Sequence, residues 1–228
     1  VWTIHELQSL LPAEQFIELK KAYSATEDGN FERGLNILNL NVDYSRTKRS
    51  PILRSALDTL FQTRAKRIRP HRDDKVLTSW NGLMIAALSK MGSVLSDFRY
   101  VDAAKKAAAF VLEKNVDKQG RHLRRWAKGE SKYPAYLEDY AFMVDALIEL
   151  FQATSEVKWI HAAQQLQGIQ DALFYNSQGN GYFNTQTGAP QEGSNLLKQR
   201  KTEFEDNVTP SGNSMAVLNL LRLAAILF

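Results

Sequence analysis

The sequence predicts an all-α chain of helical hairpins in two concentric layers, an α/α toroid or a solenoid, and three observations point there. Helices that are apolar nearly all round alternate with amphipathic ones. Leu83-Met84-Ile85-Ala86-Ala87-Leu88 and Ala141-Phe142-Met143-Val144 offer no polar face, whereas Ala103, Ala107, Phe110 and Val111 oppose Lys105, Lys106, Glu113 and Lys114. The turns inside the pairs, Ser96-Asp97 and Ser155-Glu156, are short, which favours antiparallel neighbours. A polar and aromatic cluster leads into each apolar helix: Asp73-Asp74-Lys75-Val76-Leu77-Thr78-Ser79-Trp80-Asn81-Gly82, Tyr136-Leu137-Glu138-Asp139-Tyr140 and Thr209-Pro210-Ser211-Gly212-Asn213-Ser214.

In order along the chain, Thr3-Ile4-His5-Glu6 has the form of a capping box and opens a short helix ending near Leu11. Pro12 suits the first turn of a second helix reaching about Tyr23. Residues 24–31 read as a loop, and 35–41 alternate like an extended segment suited to pairing with residues outside this sequence. Leu57, Leu60, Phe61 and Ala65 give a helix over about 54–68, which Pro70 stops. Hairpins then follow at about 79–95 with 98–115 and 137–153 with 157–173, separated by a connecting loop over 117–134. A loop over 179–207 leads to the last helix, which starts near Ser211.

Composition bounds the function. The 228 residues are 44% apolar and 24% charged, values of an ordinary soluble globular protein. No apolar run approaches the roughly 20 residues of a membrane span, so no membrane partner is expected. There is no cysteine, which removes thiolate chemistry, disulfides and Cys-ligated zinc; with no signal-peptide pattern at Val1-Trp2-Thr3, the expected setting is cytoplasmic. Both ends read as those of a fragment, since the chain lacks an initiator Met and closes inside a helical pattern. Net charge is concentrated in 64–75, where Arg64, Lys66, Arg67, Arg69, Arg72 and Lys75 oppose Asp73 and Asp74. That stretch reads as a solvated helix end, or more weakly as a patch for an acidic ligand. It is short and lacks interleaved aromatics, so no nucleic-acid partner is expected.

If the apolar helices run parallel, their N-termini share one face, fed by the long loops at 69–78, 120–136 and 179–207. Helix N-termini carry unsatisfied N–H groups suited to carboxylates, oxyanions or hydroxyls. Asp73, Asp74, Glu138, Asp139 and Asp206 are the candidate acids, with His71 and His122, in loops feeding that face, as additional acid/base groups. Each also has a plainer reading, since acids cap helices and stabilise first turns. Glycoside chemistry uses two carboxylates and an aromatic platform; Trp80 or Tyr140 would stack, and Lys75, Asn81, Ser211 and Asn213 would bind substrate. Trp80 taken alone reads more readily as core, and Ser211 as a helix start rather than a nucleophile, because the Gly-x-Ser-x-Gly elbow is absent. No pair among His5, His71, His122 and His161 has metal-ligand spacing, so neither a metal nor another cofactor is expected.

These strings, together with Gly181-Tyr182-Phe183, Val1-Trp2-Thr3 and the Glu27-Gly29-Asn30-Phe31 loop, resemble the thioredoxin-domain-containing family of the YyaL and spermatogenesis-associated protein 20 type. The resemblance covers essentially the whole chain. It implies an N-terminal thioredoxin-like domain outside this sequence and a C-terminal (α/α)6 six-hairpin domain similar to glycosidases and N-acylglucosamine 2-epimerase. Residues 1–50 would then be a linker region, and 51–228 the first part of an incomplete toroid. Two functions are expected to compete. In one, the helix starts bind or process a small carbohydrate. In the other, they form a structural network, and the domain is a non-catalytic scaffold serving the thioredoxin-like domain. An open toroid would also self-associate through uncovered inner-helix surface.

Overall fold

The computed structural model describes residues 1–41, 49–187 and 200–228. Part of the expected linker and part of the 179–207 loop lie outside the described residues. The chain divides into two compact units, Val1–Arg72 and Asp73–Phe228.

In the first unit, α1 (Ile4–Leu10) begins with the capping box read from the sequence: Thr3 accepts from the Glu6 N–H at 3.1 Å, and Glu6 accepts from the Thr3 N–H at 2.9 Å. Pro12 stands at the N-cap of α2 (Ala13–Ala22). Strand β1 (Tyr23–Ser24) pairs with β2 (Asn39–Leu40), and Trp2 bridges to Asn36. The extended 35–41 segment thus finds its partners inside this unit. Helix α3 (Pro51–Ala65) starts earlier than its apolar spacing suggested, because Ser50 caps it and Pro51 fills the first turn. Leu53, Ala56 and Leu60 bury into a core with Leu7, Leu19 and Ala22, so α3 packs within the first unit. Of the basic stretch, Arg67 is used for packing: it stacks 4.0 Å from the Trp2 ring and bonds Glu6 at 3.1 Å.

The second unit is an arc of a two-layer α/α toroid. Its described helices are α4 (Thr78–Leu95), α5 (Phe98–Lys114), α6 (Leu137–Thr154), α7 (Val157–Phe174) and α8 (Gly212–Leu227). Short left-handed turns at Ser96 and Ser155 fold α5 back on α4 and α7 back on α6. The inner helices α4, α6 and α8 lie parallel, as their contacts show. Ser79 bonds Asp139, and a Cβ on Gly82 would sit 2.7 Å from the Phe142 backbone. On the other side, a Cβ on Gly212 would meet Leu137 at 2.9 Å, Asn219 donates to the Ala141 carbonyl at 2.7 Å, and Arg222 bonds Asp145 and Glu149. Gly82 and Gly212 are therefore small because the inner helices touch through them.

Helix α6, flanked on both sides, is the most buried, with Tyr140 to Val144 and Ala146 to Ile148 closed to solvent. Helices α4 and α8 each keep an exposed apolar stripe, Trp80, Met84 and Met91 on one and Val217, Leu221 and Phe228 on the other. Each is thus less enclosed than the burial on most sides that its apolar run suggested.

The 117–134 segment, read as a loop, contains a hairpin of β4 (Leu123–Ala127) and β5 (Glu130–Pro134), joined through Lys128 (φ 52) and Gly129 (φ 83). Strand β3 (Val76–Leu77) adds to it, giving the order β3-β4-β5 and anchoring the residues that open α4. Among the described residues, no helix is long and apolar enough to cross a membrane.

Candidate functional site

The three inner-helix starts converge as expected, and the residues there divide into those that hold the fold and those that face outward. Helix α4 has no side-chain cap of its own: its N-cap is Leu77, and neither Asp73 nor Asp74 takes that role. Asp139 of α6 does so across the interface, its Oδ1 accepting from the Ser79 N–H at 2.9 Å. Its Oδ2 accepts from the Tyr136 N–H at 2.8 Å and from Arg124 Nη1 at 3.1 Å. The side chain is fully buried. Burial pushes its carboxyl above the ordinary value, with Arg124 and the backbone donors pulling the other way. Donors on both oxygens suit the ionised form. Asp139 therefore joins two helix starts and a hairpin and has no surface left for a ligand.

Glu138, the preceding residue, differs. Arg124 Nη1 holds it at 2.9 Å, but its side chain keeps 35% of its exposure. The Arg124 guanidinium also lies 4.5 Å from the Tyr136 ring. Burial pulls the Arg124 pKa down, but the two carboxylates outweigh it and leave it above the ordinary value. Arg124 lies in the hairpin that the sequence reading took for a loop. Alternation over 123–127 and the Lys128-Gly129 dipeptide were the available signals, and both were weak.

The remaining candidates separate in the same way. Trp80 is 66% exposed on the first turn of α4, so it is a surface aromatic and not core. Asn81 is partly buried and donates to the Leu77 carbonyl at 2.8 Å. Tyr140 is fully buried, which rules it out as a stacking platform. Its hydroxyl accepts from the His122 N–H at 2.7 Å, its ring packs edge-on against His122 and Phe174, and burial pushes its pKa up to about 12. Asn213 is consumed by backbone: it accepts from Tyr182 N–H at 2.7 Å and donates to the Tyr182 and Glu203 carbonyls, each at 2.9 Å. Ser211 caps α8 through the Ser214 N–H at 3.0 Å.

Asp206 is exposed and accepts from the Ser211 N–H at 2.8 Å, which lowers its pKa. Asp73 and Lys75 pair at 2.8 Å in the exposed lead into β3, where Asp74 is also exposed. His71 is exposed and belongs to the first unit.

Sequence reasoning missed one further acid, Glu203. It is exposed and accepts from Asn184 Nδ2 at 2.9 Å, while the Asn184 carbonyl accepts from Leu137 N–H at 3.0 Å. The 200–206 segment is thereby tied to the first residue of α6, and Phe204, 58% exposed, lies against Gly181. Outward-facing acids and aromatics thus surround the helix starts, above a buried layer of structural hydrogen bonds.

No protein-family model matches the chain. The human protein named spermatogenesis-associated protein 20 is 35% identical over 263 aligned residues, which take in 98% of this chain. The chain is homologous to spermatogenesis-associated protein 20. The rat protein of that name is 33% identical over 98% of the chain, and an uncharacterized protein of Caenorhabditis elegans is 34% identical over 75% of it. The chain spans 32% of the length of the human and rat spermatogenesis-associated protein 20. Among solved structures, a GH76 α-mannanase from Bacteroides thetaiotaomicron is similar at TM-score 0.46 and 18% identity, covering 62% of this chain and 43% of the other. A cellobiose 2-epimerase from Bacillus thermoamylovorans is similar at TM-score 0.46 and 11% identity, covering 62% and 44%.

Proposed function

We propose that the N-terminal face of the inner helices binds a small carbohydrate, with Glu138 as the polar contact and Trp80 as the stacking surface. The observation that carries this reading is the contrast at the start of α6. Of two adjacent acids on one guanidinium, Asp139 is fully enclosed, while Glu138 is fixed in orientation and open to solvent. An oriented carboxylate accepts hydroxyl hydrogen bonds, and an exposed indole on the neighbouring helix offers an apolar face to a sugar ring. Glu203 and Asp206 are further exposed acids on the same set of loops. Epimerase- or glycosidase-like turnover would need a second acid within reach of the bound sugar, and Glu203 is the first choice because Asn184 orients it. A cytoplasmic setting belongs to the same proposal.

The test is a thermal-shift screen of the chain against neutral mono- and disaccharides, followed by calorimetric titration of the hits. Glu138→Gln and Trp80→Ala should each weaken binding at least tenfold while leaving the melting temperature within a degree or two. Unaltered binding in both variants would reject this site.

A second reading has its own support. Asp139, Tyr140 and Asn213 are all spent on internal hydrogen bonds, as a scaffold that positions a further domain of a longer chain would require. Under that reading no sugar binds, and the partner is the thioredoxin-like domain expected from the sequence.

A further inference from the structure

The β4–β5 hairpin has two faces with opposite electrostatic treatment. On one, Arg124 is neutralised by Glu138 and Asp139, and Trp126 packs edge-on against Phe110 at 5.4 Å. On the other, Arg125 stands directly opposite Lys132 in the antiparallel register. Paired residues share a face, and like charges in that position repel. Lys132 is paired with Glu130 at 3.0 Å, both about half exposed. Arg125 has no ion pair among the described residues. It has a ring instead, its guanidinium lying 5.1 Å from Tyr133.

Tyr133 itself is out of pattern. Strict alternation would place it opposite Arg124, between the paired positions Leu123–Pro134 and Arg125–Lys132. Its φ is 67, a left-handed conformation that is uncommon for a bulky residue, and its ring is half exposed beneath Arg125. Two local preferences are thus set aside at one place, the separation of like charges and the backbone habit of an aromatic residue. The result is a guanidinium placed over a ring, with a lysine at the paired position across the strand. Such departures from local rules concentrate at functional positions. The platform is rigid, because β4 is paired on both sides and Ser131 ties β5 to the Lys114 carbonyl at 2.5 Å.

We propose that Arg125 and Lys132 form an oxyanion-binding site on this face, taking the phosphate or carboxylate group of a small ligand. The guanidinium supplies two parallel N–H donors, the ammonium supplies the third contact, and Glu130 swings off Lys132 as the anion arrives. This site lies on the hairpin face opposite Arg124 and stands independently of the carbohydrate reading.

The test follows backbone amide shifts of the full chain by NMR at low salt during titration with inorganic phosphate, glucose 6-phosphate and glucuronate. Saturable shifts centred on 123–134 are expected. They should be at least tenfold weaker in both Arg125→Gln and Lys132→Gln, and little altered in Lys128→Gln, which removes the same charge from the turn. Response to inorganic phosphate and glucose 6-phosphate alike would mark a phosphate site, and response to glucuronate alone a carboxylate site. Absence of saturable shifts with all three anions would overturn the proposal. So would equal weakening by Lys128→Gln and Lys132→Gln, since that describes diffuse charge and not a site. If Arg125→Gln does not fold, the Lys128 and Lys132 comparison still decides.

Discussion

Asp139 on α6 caps α4 from outside, accepting the Ser79 N–H at 2.9 Å, so one carboxylate fixes the relative height of two parallel inner helices. Removing it leaves the Ser79 and Tyr136 N–H groups without their acceptor and Arg124 with half its charge partners. Loss of one partner from a buried pair costs about 3–5 kcal/mol. Asp139→Ala should lose that much in urea unfolding. Glu138→Gln, at a partly exposed pair, should lose less than about 1 kcal/mol.

Gly82 makes a parallel argument without charge. An added methyl would sit 2.7–2.9 Å from Phe142 backbone and Cβ atoms, and the neighbouring helix has no room to yield. Gly82→Ala should destabilise by about 1–3 kcal/mol through overpacking, although alanine is the better helix former. Urea unfolding followed by far-UV circular dichroism measures the difference.

His122 sets a pH dependence. It is fully buried, its Nδ1 lies 3.0 Å from the Asn115 carbonyl, and burial lowers its pKa from the ordinary 6.5. The unfolded chain therefore takes up a proton below about pH 6.5 that the folded chain refuses. Stability is unaffected above that pH and falls as pH drops below it, by at most about 1.4 kcal/mol per unit until the folded group also titrates. His122→Gln should remove this part of the slope between pH 6.5 and 5.

Asn213 should behave as a structural residue despite its place in a motif that looks like a site. Asn213→Ala strands the Tyr182 N–H and two carbonyls, at a cost of about 1–3 kcal/mol. The folded variant should retain any sugar affinity, as calorimetry would show.

The exposed apolar stripes on α4 and α8 should drive self-association. Sedimentation velocity should show concentration-dependent species, reduced by Val217→Glu with Leu221→Glu. A strictly monomeric chain at all concentrations would contradict this.

The layered helices were legible because burial leaves a periodic signature: the apolar runs 141–144 and 146–148 of α6 against amphipathic α5 need no tertiary knowledge to recognise. The Thr3–Glu6 box and the Ser211 cap were legible for the same local reason. What stayed hidden depends on partners distant in sequence. Nothing local says that α4 is capped by a residue 60 positions away, or that the apolar runs at 83–88 and 215–221 keep one face uncovered. The hairpin was missed because Lys128-Gly129 is a weak turn signal and Leu123-Arg124-Arg125-Trp126 alternates poorly. With it went Arg124, whose two acid partners became visible only once the strands were placed.

The most direct measurement is a paired calorimetric titration of Glu138→Gln and Asp139→Asn with whichever neutral sugar stabilises the parent chain. The account predicts that Glu138→Gln keeps its stability and loses at least tenfold in affinity, while folded Asp139→Asn is less stable yet binds within a few-fold of the parent. Undiminished affinity in Glu138→Gln, or no stabilisation of the parent by any sugar, would contradict it.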